Sequence, residues 1–289
     1  SRPPDEVIVC DDASSDDTGD MLESFAATSA FPVRILRNDE RIGAPQSFAR
    51  AVAACGGRWI ALADQDDAWH PAKLERSEAM LLAAPDTAAV FSDAALMDED
   101  GRRLAGTLWQ AIGFGSIERR ELEVGRGFQA LLRRNWVTGA CLVFRAALRD
   151  LILPIPEGWV QDEWIALVVS AGAPIRPIEA LLVRYRQHPG QLIGARRRAS
   201  RPSHPAERRR AAADQVRRFE ALVSRLAMGG GLDGDRARAL EEKLGHAELR
   251  ARMPGAIHRR LPVILGELAR RRYHRYSEGW RSAAADLIG

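Results

Sequence analysis

Three aspartates follow an apolar run in the segment IALADQDDAW, residues 60–69. Asp64 and Asp66 are two residues apart, and Asp67 comes directly after them. Carboxylates at this spacing repel one another unless a cation offsets their charge. Mg²⁺ and Mn²⁺ bind through one or two carboxylates together with substrate phosphates, so the segment is a candidate site for such a cation. The alternative is a solvated acidic turn in which Asp67 caps a following helix.

A second acidic segment, DDASSDD, follows an earlier apolar run at residues 11–17. Asp11 or Asp12 can accept hydrogen bonds from a ribose or a base imide. The hydroxyl group of Ser14, together with nearby backbone N–H groups, suits a phosphate or a sugar. The alternative is a loop that only caps the next helix. The second acidic segment adds weight to a binding site over a simple acidic turn.

The elements that position these residues follow from the periodicity of the chain. The runs VIVC, VRIL, WIALA and AAVF are short, apolar and rich in β-branched residues, which is typical of buried strands. Helical segments separate them, and the connections are short. This alternation predicts an α/β sheet, largely parallel and covered by helices on both faces. Because ligands bind beyond the carboxyl ends of such strands, the acidic segments and Asp93 are expected to converge on one edge.

Beyond residue 101 the alternation loosens. The patterns predict a strand at NWVTGACLVFR, a helix that begins near Gln161, and a strand around LLVRYRQH. From about residue 196 the chain is rich in arginine and lacks strand patterns, and breaks at MGGGLDG and MPGA separate three predicted helices. These helices are expected at 205–227, 233–251 and 257–286. We therefore divide the chain into an α/β domain, residues 1–195, and a helical region, residues 196–289.

Composition excludes several classes of protein. Of the 289 residues, 46% are apolar and 28% are charged, and no apolar run approaches the length of a membrane-spanning helix. The three cysteines lie far apart without CxxC spacing, which argues against a disulfide framework and a zinc site and favours a reducing cytoplasm. Charge is unevenly distributed: residues 190–289 carry 22 basic against 11 acidic side chains, whereas residues 1–189 carry 20 against 28.

Six segments in order give the chain a family resemblance: VIVCDDASSDDT, ERIG, ALADQDDAW, NWVTGACLVFR, QDEWIAL and YRQHPGQLIG. Together they resemble the inverting family 2 glycosyltransferases, and most of all their bacterial rhamnosyltransferase-like branch. The resemblance covers about residues 4–195. Several ordered motifs are far more specific than one pair of aspartates.

The resemblance implies a GT-A fold, a Rossmann-like mixed, mostly parallel sheet flanked by helices. It implies transfer of a sugar, expected to be L-rhamnose from a dTDP donor, to a glycan or lipid-linked acceptor in cell-surface polysaccharide synthesis. The expected cofactor is a divalent cation, Mg²⁺ or Mn²⁺. The expected location is cytoplasmic, with peripheral contact at the inner membrane face.

The resemblance also assigns roles to individual residues. Asp162 matches the catalytic base, and Asp66 and His188 match metal ligands. Contact with the nucleotide donor is expected from Asp11, Asp12, Ser14, Asp64 and Arg186. Contact with the acceptor is expected from Trp136, Thr138, Gly139, Glu163 and Trp164. For Asp162, the alternative is a first-turn acid that the helix dipole favours, and Glu163 is the competing base.

The family chemistry accounts for these residue types. An alcohol that attacks the anomeric carbon of a sugar nucleotide needs a base for its proton. The departing diphosphate needs charge neutralisation, which a metal ion supplies. A single displacement inverts the anomeric centre, so no nucleophilic side chain is required.

Two departures from the family pattern are visible. The family begins with a strand and loop of the type IVIPTYN, about 35 residues before the first matched motif, so we expect this chain to be a truncated one without its first strand. A missing inner strand would expose sheet edges. Ser47 stands where many relatives have Asn, in the helix after Gly43.

Three interpretations of the arginine-rich region were considered. Amphipathic segments with arginine clusters can attach to anionic lipid, which would suit a lipid-linked acceptor. The alternative is a helical appendage packed on the α/β domain with its arginines in water. Nucleic-acid binding lacks a base-reading motif.

Two further functions compete with sugar transfer. A glycoside hydrolase would use a carboxylate pair such as Asp66 and Asp162 without a nucleotide or a metal. A binding or scaffold module that the lost strand has inactivated would bind without catalysis.

Overall fold

The computed structural model describes residues 2–188 and 205–288, so the predicted boundary at residue 195 lies outside the described residues. Strands and helices alternate through the first part, as predicted. The strands are β1 (Val7–Asp11), β2 (Val33–Arg37), β3 (Trp59–Ala61), β4 (Ala68–Trp69), β5 (Ala89–Met97), β6 (Arg103–Thr107), β7 (Leu142–Arg145) and β8 (Ile175–Arg186). The helices are α1 (Thr18–Thr28), α2 (Ala44–Ala54), α3 (Lys73–Ala83), α4 (Leu108–Ile112), α5 (Ser116–Glu123), α6 (Gly127–Arg133), α7 (Arg149–Ile152) and α8 (Gln161–Gly172).

Residues 205–288 are helical. Their helices are α9 (Pro205–Met228), α10 (Gly234–Ala251), α11 (Ile257–Ala269), α12 (Arg272–Tyr276) and α13 (Trp280–Ile288). The first two match the predicted helices to within a residue at each end. The prediction of one helix at 257–286 is wrong, because the backbone takes left-handed values at Arg271 (φ 58°) and Gly279 (φ 61°) and turns at each.

The sheet is mixed, as predicted, and antiparallel pairs outnumber parallel ones in its larger part. Strands β1 and β2 form a parallel pair of their own. The other sheet has the order β3-β7-β5-β8-β4, with β6 on β5, and β5 and β8 are its parallel pair. The pairs β3–β7, β4–β8, β5–β6 and β5–β7 are antiparallel. Parallel strands need a crossover connection, but a helix in a connection does not make the strands it joins parallel. Helix α8 lies between β7 and β8, yet β7 pairs antiparallel to β5 and β8 pairs parallel to it.

A cavity of about 600 Å³ separates the two sheets. Its walls include Val7 and Ile8 of β1, Ile60 of β3, and Phe48 and Val52 of α2. Among residues 2–188 and 205–288, no strand pairs with the edges of β1 and β3 that border this cavity. The two sheets are therefore discontinuous at this point.

The main core lies around α8, whose residues from Trp164 to Ala171 are all buried. An apolar helix without a polar face is typical of such a central position. The same core includes Phe219, Leu222 and Leu226 of α9 and Leu240 of α10. The helical region thus shares a core with the α/β part.

Arg260 of the helical region is buried and Arg250 is half-buried, so the expectation that the arginines lie in water holds for only part of them. Arg260 donates to the carbonyl oxygens of Pro254 and Gly255, both at 2.6 Å. Arg250 forms a two-bond ion pair with Asp286. Within the part of the chain that the structure describes, no helix is both long and apolar enough to span a bilayer.

Candidate active site

The acidic segment forms a tight turn between β3 and β4. Burial and the charge of Asp66 together raise the pKa of Asp64 to about 6, against the opposing charge of Lys73. Burial also raises the pKa of Asp67 to about 7, against the effect of a hydrogen bond from the Arg186 backbone. Burial is the largest cause of both shifts, and the charge of Lys73 offsets only part of it.

Strand pairing brings this turn to the end of β8. Ala68 and Trp69 pair with Arg184 and Val183. Asp67 Oδ1 accepts a hydrogen bond of 2.8 Å from the backbone N–H of Arg186, whereas its Oδ2 is buried without a partner.

His188 reaches the turn from the end of β8. Its Nε2 lies 3.0 Å from Asp66 Oδ2. The predicted metal ligands Asp66 and His188, which are 122 positions apart in sequence, are therefore adjacent in the structure.

Arg186, predicted near the donor diphosphate, points its guanidinium at backbone carbonyls. Its Nε donates to Asp66 O at 2.7 Å, and its Nη1 donates to Glu99 O at 2.6 Å. These bonds tie the acidic turn to the β5–β6 connection. In this conformation Arg186 positions the turn.

Lys73 is a residue that sequence reasoning missed. Its Nζ is buried and donates to the carbonyl oxygens of Ala140 at 2.6 Å and Leu62 at 3.4 Å. It also lies 3.5 Å from the centroid of the Trp69 ring. Burial lowers the pKa of this ammonium to about 7, and the charge of Asp64 opposes that shift. The available signal was its position six residues after the acidic turn, as one of two lysines in the chain.

Tyr185 was also missed. It is buried, and burial raises its pKa, with further contributions from Asp67, Asp64 and Asp162. Its phenol is therefore neutral at ordinary pH and lies within electrostatic range of the acidic turn and of the predicted base.

Asp162, the predicted base, lies in the first turn of α8. Its Oδ2 accepts from the backbone N–H of Gly139 at 3.0 Å, and its Oδ1 accepts from Asn135 Nδ2 at 3.2 Å. Burial, with contributions from the charges of Glu163 and Asp64, raises its pKa to about 7. A carboxylate with this pKa is suited to accept a proton near neutral pH.

Glu163, the competing base, is engaged by the helical region. Arg218 of α9 forms an ion pair with it. The Arg218 guanidinium also lies 4.1 Å from the centroid of the Trp159 ring, and Trp159 Nε1 donates to the Arg218 carbonyl at 3.2 Å. Because its charge is already paired, Glu163 is a weaker base candidate than Asp162.

The predicted acceptor residues fall into two groups. Gly139 contacts Asp162 directly, Thr138 is half-buried beside it, and the buried Trp136 has its indole Nε1 without a partner. Trp164, in contrast, is fully buried and donates to Ile152 O at 2.7 Å. Its prediction as an acceptor contact is wrong, because its side of α8 packs into the core.

The predicted nucleotide residues lie at the end of β1. Asp11 Oδ1 accepts from the Ser14 backbone N–H at 3.1 Å. Asp12 accepts from Ile42 N and Gly43 N, both at 2.9 Å, and from Asn38 Nδ2 at 2.7 Å. Burial alone would raise the pKa of Asp12, but these hydrogen bonds lower it overall.

Ser47, which departs from the family pattern because many relatives have Asn there, lies beneath this loop. It is buried and accepts from Asn38 Nδ2 at 3.0 Å. The hydroxyl therefore joins the network that holds the side chain of Asp12.

Asp93 lies away from this edge. Strand β5 continues past it to Met97, and its buried carboxylate accepts from the backbone N–H of Trp109 at 2.9 Å. The expectation that Asp93 joins the other aspartates is wrong, because the strand does not end there.

The residues present fit a divalent cation that a substrate helps to hold. Among the described residues, no group of three or more His, Cys, Asp or Glu side chains is arranged to hold a metal. Asp66 and His188 nevertheless supply adjacent oxygen and nitrogen donors, and the unpartnered Asp67 Oδ2 adds uncompensated charge. Two protein ligands completed by phosphate oxygens are typical of Mg²⁺ sites in phosphate-transferring enzymes.

Comparison with known proteins gave consistent results. The family model described as glycosyl transferase family 2 matches residues 1–151. An uncharacterized protein of Mycobacterium tuberculosis is 29% identical over 187 residues, which are 64% of this chain and 51% of that protein. The Escherichia coli UDP-Glc:α-D-GlcNAc-diphosphoundecaprenol β-1,3-glucosyltransferase WfgD is 36% identical over 77 residues, 27% of this chain and 29% of WfgD.

A solved structure shares the fold. The crystal structure of S. aureus TarS 1-349 in complex with UDP-GlcNAc superposes with a TM-score of 0.55 at 16% identity, over 85% of this chain and 63% of that one. The predicted GT-A class of α/β fold is thereby confirmed. The chain spans about half the length of the mycobacterial relative.

Proposed function

Since this chain belongs to glycosyl transferase family 2, we propose that it transfers a sugar from a nucleotide donor to a hydroxyl group, with inversion at the anomeric carbon. The observation that carries the proposal is Asp162, whose pKa of about 7 and backbone hydrogen bond to Gly139 make it a positioned base. The charge of Asp64 in the acidic turn acts on Asp162, which supports a single site for base and leaving group.

The proposed step is one displacement. The acceptor hydroxyl transfers its proton to the carboxylate of Asp162 as its oxygen bonds to the anomeric carbon. The bond from that carbon to the diphosphate oxygen breaks, and the electron pair leaves with the nucleoside diphosphate. A divalent cation held by Asp66 and His188 would neutralise charge on that leaving group.

The donor is proposed to bind along the ends of β1, β3 and β8. Asp11 ends β1 and Ser14 lies on the exposed loop that follows, where both can face a nucleoside, while Asp12 holds that loop against the start of α2. L-rhamnose on dTDP remains our proposed donor, on the resemblance of DQDDAW and YRQH alone.

The cavity between β1 and β3 supports the expected lack of an inner strand. It is bordered by two strand edges without partners among the described strands, and apolar side chains line it. We propose that an added extended segment would fill it and complete the nucleotide side of the site.

The acceptor is proposed to be a glycan or lipid-linked saccharide in cell-surface polysaccharide synthesis, used at the cytoplasmic face of the membrane. The name of WfgD describes transfer to a sugar on diphosphoundecaprenol, which supports this class. Trp136, Thr138 and Gly139 border the side of Asp162 from which such an acceptor would approach.

The open cavity favours a second candidate, an incomplete module that binds donor weakly or not at all. Calorimetric titration of the purified chain with dTDP and UDP, each with and without Mn²⁺, separates the candidates. A transferase is expected to bind the nucleotide in a metal-dependent way, and Asp66→Ala is expected to abolish that binding. Absence of binding, with the protein folded by circular dichroism, would support the incomplete module. Release of free sugar from glycan without nucleotide would instead support a hydrolase.

A further inference from the structure

Helix α11 carries a ridge of exposed apolar side chains. Ile257, Leu261 and Leu265 recur every four residues and are 61%, 44% and 54% exposed. The adjacent side of the helix, with Arg260, Ile264 and Glu267, is buried against its neighbours. Internal packing therefore accounts for one face of α11 and leaves a second apolar face in water.

Helix α13 repeats this arrangement. Trp280 and Ile288 are 67% and 80% exposed, and the exposed Ala284 lies between them at the same four-residue spacing. Its inward side contains Ala283 and Asp286. Since α11 and α13 pack against each other, both ridges belong to one end of the helical region. We call the set Ile257, Leu261, Leu265, Trp280 and Ile288 the apolar face.

The charge on these helices is basic on the outside and acidic on the inside. Arg259, Arg270, Arg271 and Arg281 are exposed. Two of the three acids in residues 255–288 are buried and paired: Glu267 with His246, and Asp286 with Arg250. The third, Glu278, is exposed. Exposed arginines thus lie on or next to the two helices that carry the apolar face, with little opposing charge.

We propose that the apolar face lies on an anionic phospholipid surface, with α11 and α13 in the plane of the interface. Leucine, isoleucine and tryptophan would enter the boundary between headgroups and acyl chains, while the arginines meet lipid phosphates. A second copy of the chain would bring like-charged arginines together, which argues against self-association. The inference concerns the helical region and does not rest on the proposed transfer reaction.

The test is co-sedimentation of the full purified chain with vesicles of phosphatidylcholine, with and without phosphatidylglycerol. We expect binding to the anionic vesicles, and a blue shift of tryptophan emission that Trp280→Phe diminishes. Leu261→Glu combined with Leu265→Glu is expected to lower partitioning by about tenfold or more, because the apolar contact is lost and two negative charges are added.

The matched control is Leu82→Glu combined with Ile117→Glu, which alters two exposed apolar side chains of the α/β part. We expect it to bind vesicles like the unaltered chain. Equal binding by the α11 double variant and the unaltered chain would overturn the proposal, as would no binding to anionic vesicles. A concentration-dependent dimer that the α11 double variant abolishes would assign the face to a second copy instead.

Discussion

The acidic site and the helical region both bury charged groups, but they treat them in opposite ways. In the helical region, buried His246 contacts Glu267 at 2.7 Å and Ser277 at 3.0 Å. Asp286 accepts bonds from Arg250 and from the phenol of Tyr273. The buried acids have partners that offset the cost of their burial and join helices, whereas burial lowers the pKa of His246 and lowers that of Lys243 to about 7.

In the acidic site the carboxylates are compensated only in part. Burial would raise the pKa of Glu267, yet the hydrogen bond from His246 lowers it overall, whereas the pKa of Asp162 is raised to about 7. The two carboxylates therefore shift in opposite directions. Burial alone does not mark a candidate functional acid, whereas burial without an adjacent countercharge, as at Asp162, is the stronger indication.

Asp162→Asn is the largest expected effect and tests the functional side of this contrast. Removal of the base should lower the transfer rate by about 10²–10⁴-fold while donor affinity is retained. Initial rates and calorimetric titration measure the two quantities. Transfer at the full rate by this variant would show that another group accepts the proton.

Arg250→Met tests the other half of this contrast, the paired charges of the helical region. It leaves the buried Asp286 carboxylate with Tyr273 but without its cation, so we expect a loss of about 3–5 kcal/mol in the free energy of unfolding. Urea denaturation measures it. Exposed Arg259→Met is the control, with a change expected within about 0.5 kcal/mol.

Asp67→Asn should raise the free energy of unfolding, whereas Arg250→Met lowers it. The folded-state pKa of Asp67 is raised to about 7, so ionisation of this group costs stability as pH rises from about 4 to 7. Above that range the variant should be more stable than the unaltered chain by about 1–2 kcal/mol. Denaturation at pH 5 and pH 8 in the absence of divalent cations measures the difference. Equal stability of both proteins at pH 8 would show that the charge of Asp67 is compensated.

The smallest effects concern the connection between the two regions. Asp162 must be ionised to act as a base, so the transfer rate should rise with pH through about 7. Glu163→Gln removes a neighbouring negative charge and should shift this profile to lower pH. Arg218→Met leaves Glu163 unpaired and should shift it to higher pH. We expect each shift to be under about one pH unit. Profiles that do not move would show that α9 has no electrostatic effect on Asp162.

Local sequence patterns predicted those parts of the fold and site that depend on neighbouring residues. The acidic turn, the loop after β1 and the start of α8 at Gln161 are of this kind. Contacts between distant segments could not be predicted in this way. The antiparallel pairing of β4 with β8 and the reach of Arg218 to Glu163 are decided by packing across the whole chain.

Trp164 and Lys73 illustrate the same limit for single side chains. The motif QDEW does not show which side of α8 enters the core, and that side contains Trp164. Nothing local to Lys73 shows that its ammonium will be enclosed by carbonyl groups from two other segments.

The separation of β1 and β2 from the larger sheet predicts unequal hydrogen exchange. No residue of β1 is fully buried, and α1, which packs beside this pair, buries none either. In contrast, β5 is buried along almost its entire length. Amide protons of β1 should therefore exchange through local openings, while those of β5 exchange only on global unfolding. A segment that fills the cavity beside β1 would pair with its free edge, and slower exchange of these amides would report that event directly.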